Sequence, residues 1–284
     1  MNDYLLSVIL GIIEGLTEFL PVSSTAHLRI AESLLSINLQ DGYWKMYTIV
    51  IQLGAILALP LYFRERIFKF LSTFPKGERG DRTIFTHPLS LTIIAFVVTA
   101  GPAWLLKKKI AANLEHITVM AWALLIGGIV MGVVDVLCKK PKITHMEEMG
   151  LGQSIWIGAC QILSAVFPGT SRSMSTIAAG QVAGMSREAA LEFSFFLSIP
   201  TMIVATGYDL LKTLHPGHSA TPDELAPIVM DSQKWIVLGI GFVVSFIVAL
   251  GVVAWFMHWV RRRGFLPFAI YRILLGAFLL FARF

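Results

Sequence analysis

Two carboxylates near the amino terminus stand four residues apart in an otherwise apolar run. At this spacing Glu14 and Glu18 share one face of a helix. An unpaired carboxylate at membrane depth is costly, so the pair predicts a compensating partner. A divalent cation with hard oxygen ligands, a basic side chain or a shared proton would each compensate the charge. The alternative is a helix end at the interface with both carboxylates in water.

A segment rich in hydroxyl groups follows directly after Pro21. Ser23, Ser24 and Thr25 precede His27. The segment therefore offers N-cap oxygens, backbone N–H donors for an anion, and a hydroxyl nucleophile beside an imidazole base. The same side chains could instead cap a helix and pack at the interface.

A second polar segment, residues 168–176, also follows a proline. Arg172 within it is costly at membrane depth unless it faces a cavity, and its planar fork of donors matches phosphate oxygens. Gly169 permits a close backbone approach. Further hydroxyl donors are Ser171, Ser173 and Thr176. Arg172 could instead neutralise the two glutamates without any ligand.

Together the two segments would form one site that binds a phosphate or diphosphate with a metal ion. Carboxylates, hydroxyls, an imidazole and a guanidinium suit phosphoryl transfer to a nucleophile or to water. The apolar surroundings indicate a lipid substrate.

The composition shows what must position these residues. The chain has 284 residues, of which 56% are hydrophobic and 14% charged, with a mean hydropathy of +0.72. Soluble domains carry about a quarter charged residues, so a soluble fold is excluded. Basic cytoplasmic loops explain the net charge of +5, and we predict no nucleic-acid partner. Cys138 and Cys160 are predicted to be buried thiols.

Apolar periodicity predicts an all-α polytopic membrane protein with eight hydrophobic regions. The regions cover residues 4–36, 43–63, 88–106, 117–138, 152–184, 189–211, 235–258 and 266–282. The first and fifth are broken near Pro21 and Pro168. Each is predicted to be a re-entrant pair of half-helices, and the other six to be full spans.

The two broken regions resemble each other at an offset of 147 residues. Gly11 then aligns with Gly158 and Ser24 with Ser171, and further matches follow downstream at offsets of 146 to 149. We therefore predict one membrane domain, residues 1–284, containing a duplication. The repeats would cover about 1–140 and 150–284, each with one re-entrant region and three spans, and would have inverted topology.

The distribution of basic residues predicts the orientation. Segments 64–82, 139–142 and 261–263 carry more Lys and Arg than the opposite side, where residues 107–109 lie. The more basic side should be cytoplasmic. Both termini would then lie outside, and the site would open to the outer face.

Residues 14–27 and 168–176 closely resemble the two signature segments of the undecaprenyl-diphosphate phosphatase family, the bacitracin-resistance type of membrane phosphatase. The likeness extends over nearly the whole chain, including residues 50–57, 192–197 and 265–272. Ala26 departs from the glycine that is common in the family before the histidine, and we expect retained activity.

The resemblance implies hydrolysis of undecaprenyl diphosphate to undecaprenyl phosphate and inorganic phosphate in the bacterial plasma membrane. This reaction would recycle the lipid carrier for peptidoglycan synthesis and confer bacitracin resistance. It also implies a divalent cation, Mg²⁺ or Ca²⁺. Glu14 and Glu18 would bind metal or position water, Ser24 and His27 would supply nucleophile and base, and Arg172 would hold the diphosphate.

The remaining candidates for substrate binding are polar or permit close backbone approach. They are Ser23, Thr25, Gln52, Gly169, Ser171, Ser173 and Thr176. Which of Ser24 and His27 attacks phosphorus is left open. Two rival functions are a transporter or flippase of a polyprenyl phosphate lipid and a membrane protein without chemistry. Membrane lipids are expected partners, and a homodimer is possible.

Overall fold

Helices make up most of the computed structural model, which describes residues 2–38, 41–78, 80–114, 116–214, 228 and 230–282. The helices of the first half are α1 (Asp3–Thr17), α2 (Ser24–Leu34), α3 (Gly42–Tyr62), α4 (Arg64–Thr73), α5 (Pro88–Leu105), α6 (Lys107–Leu114) and α7 (Ile117–Leu137). Those of the second half are α8 (Leu151–Val166), α9 (Arg172–Val182), α10 (Arg187–Leu214), α11 (Ser232–Arg262) and α12 (Leu266–Phe281). A short 3₁₀ turn, Met146–Glu148, precedes α8. The described residues contain no named strand, which confirms the all-α prediction.

Five of these helices are long and apolar enough to cross a membrane, namely α3, α5, α7, α10 and α11. The protein is therefore a multi-pass membrane protein. The predicted span at residues 266–282 forms α12, which has 16 residues. At 1.5 Å per residue α12 is about 24 Å long, shorter than the hydrocarbon core of a bilayer. The helices α4 and α6 were not predicted as separate elements.

Each predicted broken region consists of two helices joined by a short irregular segment. Residues 18–23 separate α1 from α2 and are called the first break. Residues 167–171 separate α8 from α9 and are called the second break. Both second helices begin at a serine N-cap with a positive φ, 74° at Ser23 and 70° at Ser171. Such angles are uncommon for residues other than glycine and occur where the surroundings hold the backbone.

The first helix of each broken region packs against a helix of the other half. Helix α1 lies against α11, and α8 lies against α5. The Oγ of Ser7 donates a hydrogen bond to the Val237 carbonyl at 2.6 Å, and the Oγ of Ser154 donates to the Leu91 carbonyl at 2.5 Å. Small residues and side-chain hydrogen bonds of this kind bring membrane helices close together.

Aromatic side chains pack the first break against α10. The Phe19 side chain follows Glu18 and is fully buried, and its ring meets Phe195 edge-on at 5.5 Å between centroids. Phe195 in turn packs against Phe256 of α11. The backbone that carries Glu18 is therefore held by the protein core.

Candidate active site

The carboxylate of Glu18 joins the two broken regions. The Ser24 hydroxyl donates to its Oε2 at 2.5 Å, and Nη2 of Arg172 donates to its Oε1 at 3.0 Å. Ser24 is the first residue of α2, and Arg172 is the first residue of α9. The amino-terminal ends of both helices therefore meet at one carboxylate, where their first-turn N–H groups favour an anion.

Glu14 lies one helical turn before Glu18. The Glu18 N–H donates to the Glu14 carbonyl at 3.0 Å, and Glu18 itself has helical backbone angles. The predicted sharing of one helix face is therefore confirmed. Glu14 is fully buried, and neither of its carboxylate oxygens has a hydrogen-bond partner among the described residues. Glu14 is therefore either ionised and paired with a cation, or protonated and neutral.

The guanidinium of Arg172 has one occupied side and one free side. Its Nη2 bonds to Glu18, whereas its Nη1 is buried without a hydrogen-bond partner within the described structure. The side chain is only 13% exposed. A buried N–H of a guanidinium that lacks an acceptor matches a phosphate oxygen in both charge and geometry.

His27 bonds to groups other than Ser24. Its Nδ1 lies 2.7 Å from the Ser23 carbonyl oxygen, and its Nε2 lies 2.6 Å from the Tyr271 hydroxyl oxygen. Ser24, predicted to pair with this imidazole, donates instead to Glu18. The group placed to accept a proton from the serine is therefore a carboxylate.

The other hydroxyls of the second segment hold α9 in place. Ser171 accepts from the Met174 N–H at 3.3 Å as the N-cap, and Ser173 donates to the Leu20 carbonyl at 3.0 Å. The Thr176 hydroxyl lies 2.7 Å from that of Ser194 on α10. These contacts join α9 to the first break and to α10.

Gly169 is required by the backbone at the second break. Its φ is +94°, and a Cβ there would collide with the backbone of Met120 in α7. The sequence predicts a close backbone approach at Gly169, and in the structure the backbone approached is that of helix α7. Thr25 and Gln52 are half-buried, and neither takes part in the hydrogen bonds described for the site.

Sequence reasoning missed the role of Arg272, which is fully buried. Its Nη1 donates to the Pro21 carbonyl at 3.0 Å, and its Nη2 donates to the carbonyls of Gly169 and Ala123 at 3.0 and 3.1 Å. One guanidinium thus holds both breaks and α7. The signal was available, because Arg272 is the one charged residue in the α12 sequence.

The two glutamates could form part of a metal site. No group of three or more His, Cys, Asp or Glu side chains suitable for a metal occurs in the described ranges. Mg²⁺ commonly takes one or two carboxylates and completes its shell with water and substrate phosphates. The unpartnered oxygens of Glu14 beside Glu18 fit that type of site.

Comparison with known proteins identifies one protein family along almost the entire chain. The family described as "Bacitracin resistance protein BacA" matches residues 7–278. The chain is 65% identical over 277 residues to the undecaprenyl-diphosphatase of Koribacter versatilis, covering 97% of this chain and 96% of the relative. It is 42% identical over 281 residues to the undecaprenyl-diphosphatase of Wolinella succinogenes, covering 98% of each. The chain therefore belongs to the BacA bacitracin resistance protein family.

Proposed function

We propose that this protein hydrolyses undecaprenyl diphosphate to undecaprenyl phosphate and inorganic phosphate. The observation that carries the proposal is the convergence of Ser24 and Arg172 on Glu18 inside a membrane protein. The names of the relatives support the substrate. Two consequences follow from this activity. The lipid carrier is recycled for peptidoglycan synthesis, and the cell becomes resistant to bacitracin. The rival transporter prediction receives no support from the comparisons.

Binding begins at the free side of Arg172. Its Nη1 donates to an oxygen of the terminal phosphate, while Nη2 stays with Glu18. The amino-terminal ends of α2 and α9 add positive potential at the same place. The prenyl chain extends into the surrounding apolar helices or lipid. Ser171, Ser173 and Thr176 keep α9 in position for this contact.

Ser24 is the nucleophile that its contacts favour. Its hydroxyl proton passes to Glu18 as Oγ forms a bond to the terminal phosphorus. The bond from that phosphorus to the bridging oxygen breaks, and undecaprenyl phosphate leaves with the electron pair. A water molecule then attacks the phosphoserine and passes a proton to Nε2 of His27, and Glu18 returns its proton to Oγ as the bond from Oγ to phosphorus breaks, which releases inorganic phosphate and restores Ser24 and Glu18.

Glu14 and Glu18 would hold a divalent cation, Mg²⁺ or Ca²⁺. When bound, such an ion neutralises charge on the phosphate oxygens and polarises the reacting phosphorus. The buried Glu14 side chain supports this assignment because its two oxygens have no other described partner. Glu18 would join as a ligand through the remaining lone pairs of its carboxylate, whose two oxygens also contact Ser24 and Arg172.

We further propose two inverted repeats of about residues 1–140 and 150–284 within one membrane domain. Equivalent contacts support them: the bond from Ser7 to Val237 corresponds to that from Ser154 to Leu91, at offsets of 147 for the serines and 146 for the carbonyls. In each repeat the broken region would re-enter the membrane from the side on which it began.

The same scheme gives the location in the cell. The protein would lie in the bacterial plasma membrane with the basic segments 64–82 and 139–142 in the cytoplasm. Both termini would be outside, and the site would open to the outer face. A homodimer stays a prediction.

Phosphate release from undecaprenyl diphosphate tests the function. Purified protein with Mg²⁺ should release phosphate. Glu18→Ala removes the proposed base and Arg172→Ala removes an electrostatic contact to phosphate, and each variant should lose at least about a hundredfold in kcat. Arg64→Ala, which removes an arginine whose side chain is 70% exposed, should leave kcat unchanged. Transport of the lipid across liposomes without phosphate release would contradict the proposal.

A further inference from the structure

Tyr271 and Arg272 are neighbours on α12, and both contact the first broken region. Arg272 bonds to the Pro21 carbonyl, whereas the Tyr271 hydroxyl lies 2.6 Å from Nε2 of His27. The rings of Tyr271 and His27 are also stacked, with 5.6 Å between centroids and 14° between planes. The tyrosine therefore contacts His27 both through its ring and through its hydroxyl.

The hydrogen bonds of His27 determine where its proton lies in the neutral imidazole. The Ser23 carbonyl can only accept a hydrogen bond, so Nδ1, at 2.7 Å, must carry the hydrogen. Nε2 of the neutral ring then has a lone pair and no hydrogen. The Tyr271 hydroxyl must consequently donate to Nε2.

We propose that Tyr271 relays a proton from the attacking water to Nε2 of His27. The proposal rests on the proposed function, in which this nitrogen accepts a proton from the attacking water. The Tyr271 oxygen keeps lone pairs that can accept a hydrogen bond from that water. As the tyrosine proton moves to Nε2, the water proton moves to the tyrosine oxygen, so that Tyr271 ends the step unchanged.

Chemical labelling tests the contact without reference to activity. Tyr271→Phe keeps the ring but removes the hydroxyl, so Nε2 loses its donor. Diethyl pyrocarbonate should then acylate His27 about fivefold faster, the scale of one ordinary hydrogen bond. The readout is the rate of modification of the peptide that contains His27, measured by mass spectrometry with the exposed His258 as internal reference.

Tyr208→Phe is the matched control for labelling. Tyr208 is 47% exposed and packs against Trp104 on the other half of the protein. This variant should leave the labelling rate of His27 unchanged. An unchanged rate in Tyr271→Phe as well, with His258 labelled normally, would overturn the proposed contact.

A double-mutant cycle tests the role in catalysis. Tyr271→Phe should lower kcat about fivefold with less than a twofold change in KM, and His27→Gln should lower kcat further. The double variant should be no slower than His27→Gln alone, because Tyr271 acts through His27. Additive losses, or wild-type kcat in His27→Gln, would overturn the role. Absence of phosphate release from the wild-type protein would refute the proposed function, while the labelling result would still decide the contact.

Discussion

Replacement of Arg272 by lysine tests whether one guanidinium holds the two breaks together. Arg272 reaches the carbonyls of Pro21, Gly169 and Ala123 through two different nitrogens. Lysine presents a single nitrogen, so we expect it to keep one of these three contacts. Hydrogen bonds to charged groups contribute about 2 kcal/mol each, and loss of two gives a destabilisation of about 4 kcal/mol. The retained charge therefore does not preserve the structure.

The same substitution should reduce activity. Pro21 and Gly169 precede the helices that begin with Ser24 and Arg172, so loosening both breaks displaces the reacting groups. A displacement of about 1 Å commonly costs about a hundredfold in rate. Thermal unfolding in detergent and phosphate release from undecaprenyl diphosphate measure the two effects. Arg64→Lys serves as the control, because its side chain is 70% exposed.

The result that would refute this reasoning is an Arg272→Lys protein with wild-type Tm and kcat. Such a protein would show that positive charge alone is needed at this position. The geometry of the three carbonyl contacts would then have no measurable role.

Three further predictions concern the break, the metal and the repeats. Gly169→Ala should destabilise the protein by at least about 2 kcal/mol, because φ is +94° and the Cβ would meet α7, whereas Gly152→Ala, in open space, should have little effect on the Tm. Glu14→Gln should weaken binding of Mn²⁺, a probe for Mg²⁺ measured by electron paramagnetic resonance, by at least about tenfold, and equal binding would exclude Glu14 as a ligand. Ser7→Ala and Ser154→Ala should each lower the free energy of unfolding by at least about 1 kcal/mol, with the larger loss for Ser7, whose Oγ also accepts from the Tyr47 hydroxyl at 2.9 Å, and an unchanged Tm in either variant would argue against equivalent contacts.

The local features of the site could be predicted from the sequence. The spacing of Glu14 and Glu18 gave their common helix face, and Pro21 and Pro168 marked the two interruptions between helices. Arg172 was expected to face the site because a buried charge needs a partner, and it bonds to Glu18. These predictions depend on spacing along one segment and on the cost of charge in an apolar environment.

Contacts between distant helices could not be predicted in the same way. The sequence neighbours of Ser24 suggested an imidazole base, but the fold brings Glu18 to its hydroxyl and turns His27 toward Tyr271, 244 positions away. Nothing in the periodicity of α12 specifies that Tyr271 and Arg272 face the first break. Such pairings depend on how the helices pack, for which a single sequence carries no direct signal.

The most direct test of the central claim is the release of inorganic phosphate from undecaprenyl diphosphate by the purified protein with Mg²⁺ and with EDTA. Wild-type protein should release phosphate with Mg²⁺ and lose this activity with EDTA. Ser24→Ala should lose at least about a hundredfold of the rate with Mg²⁺, because Glu18 then has no serine hydroxyl to activate. Wild-type kcat in Ser24→Ala, or no phosphate release by the wild-type protein, would contradict the account.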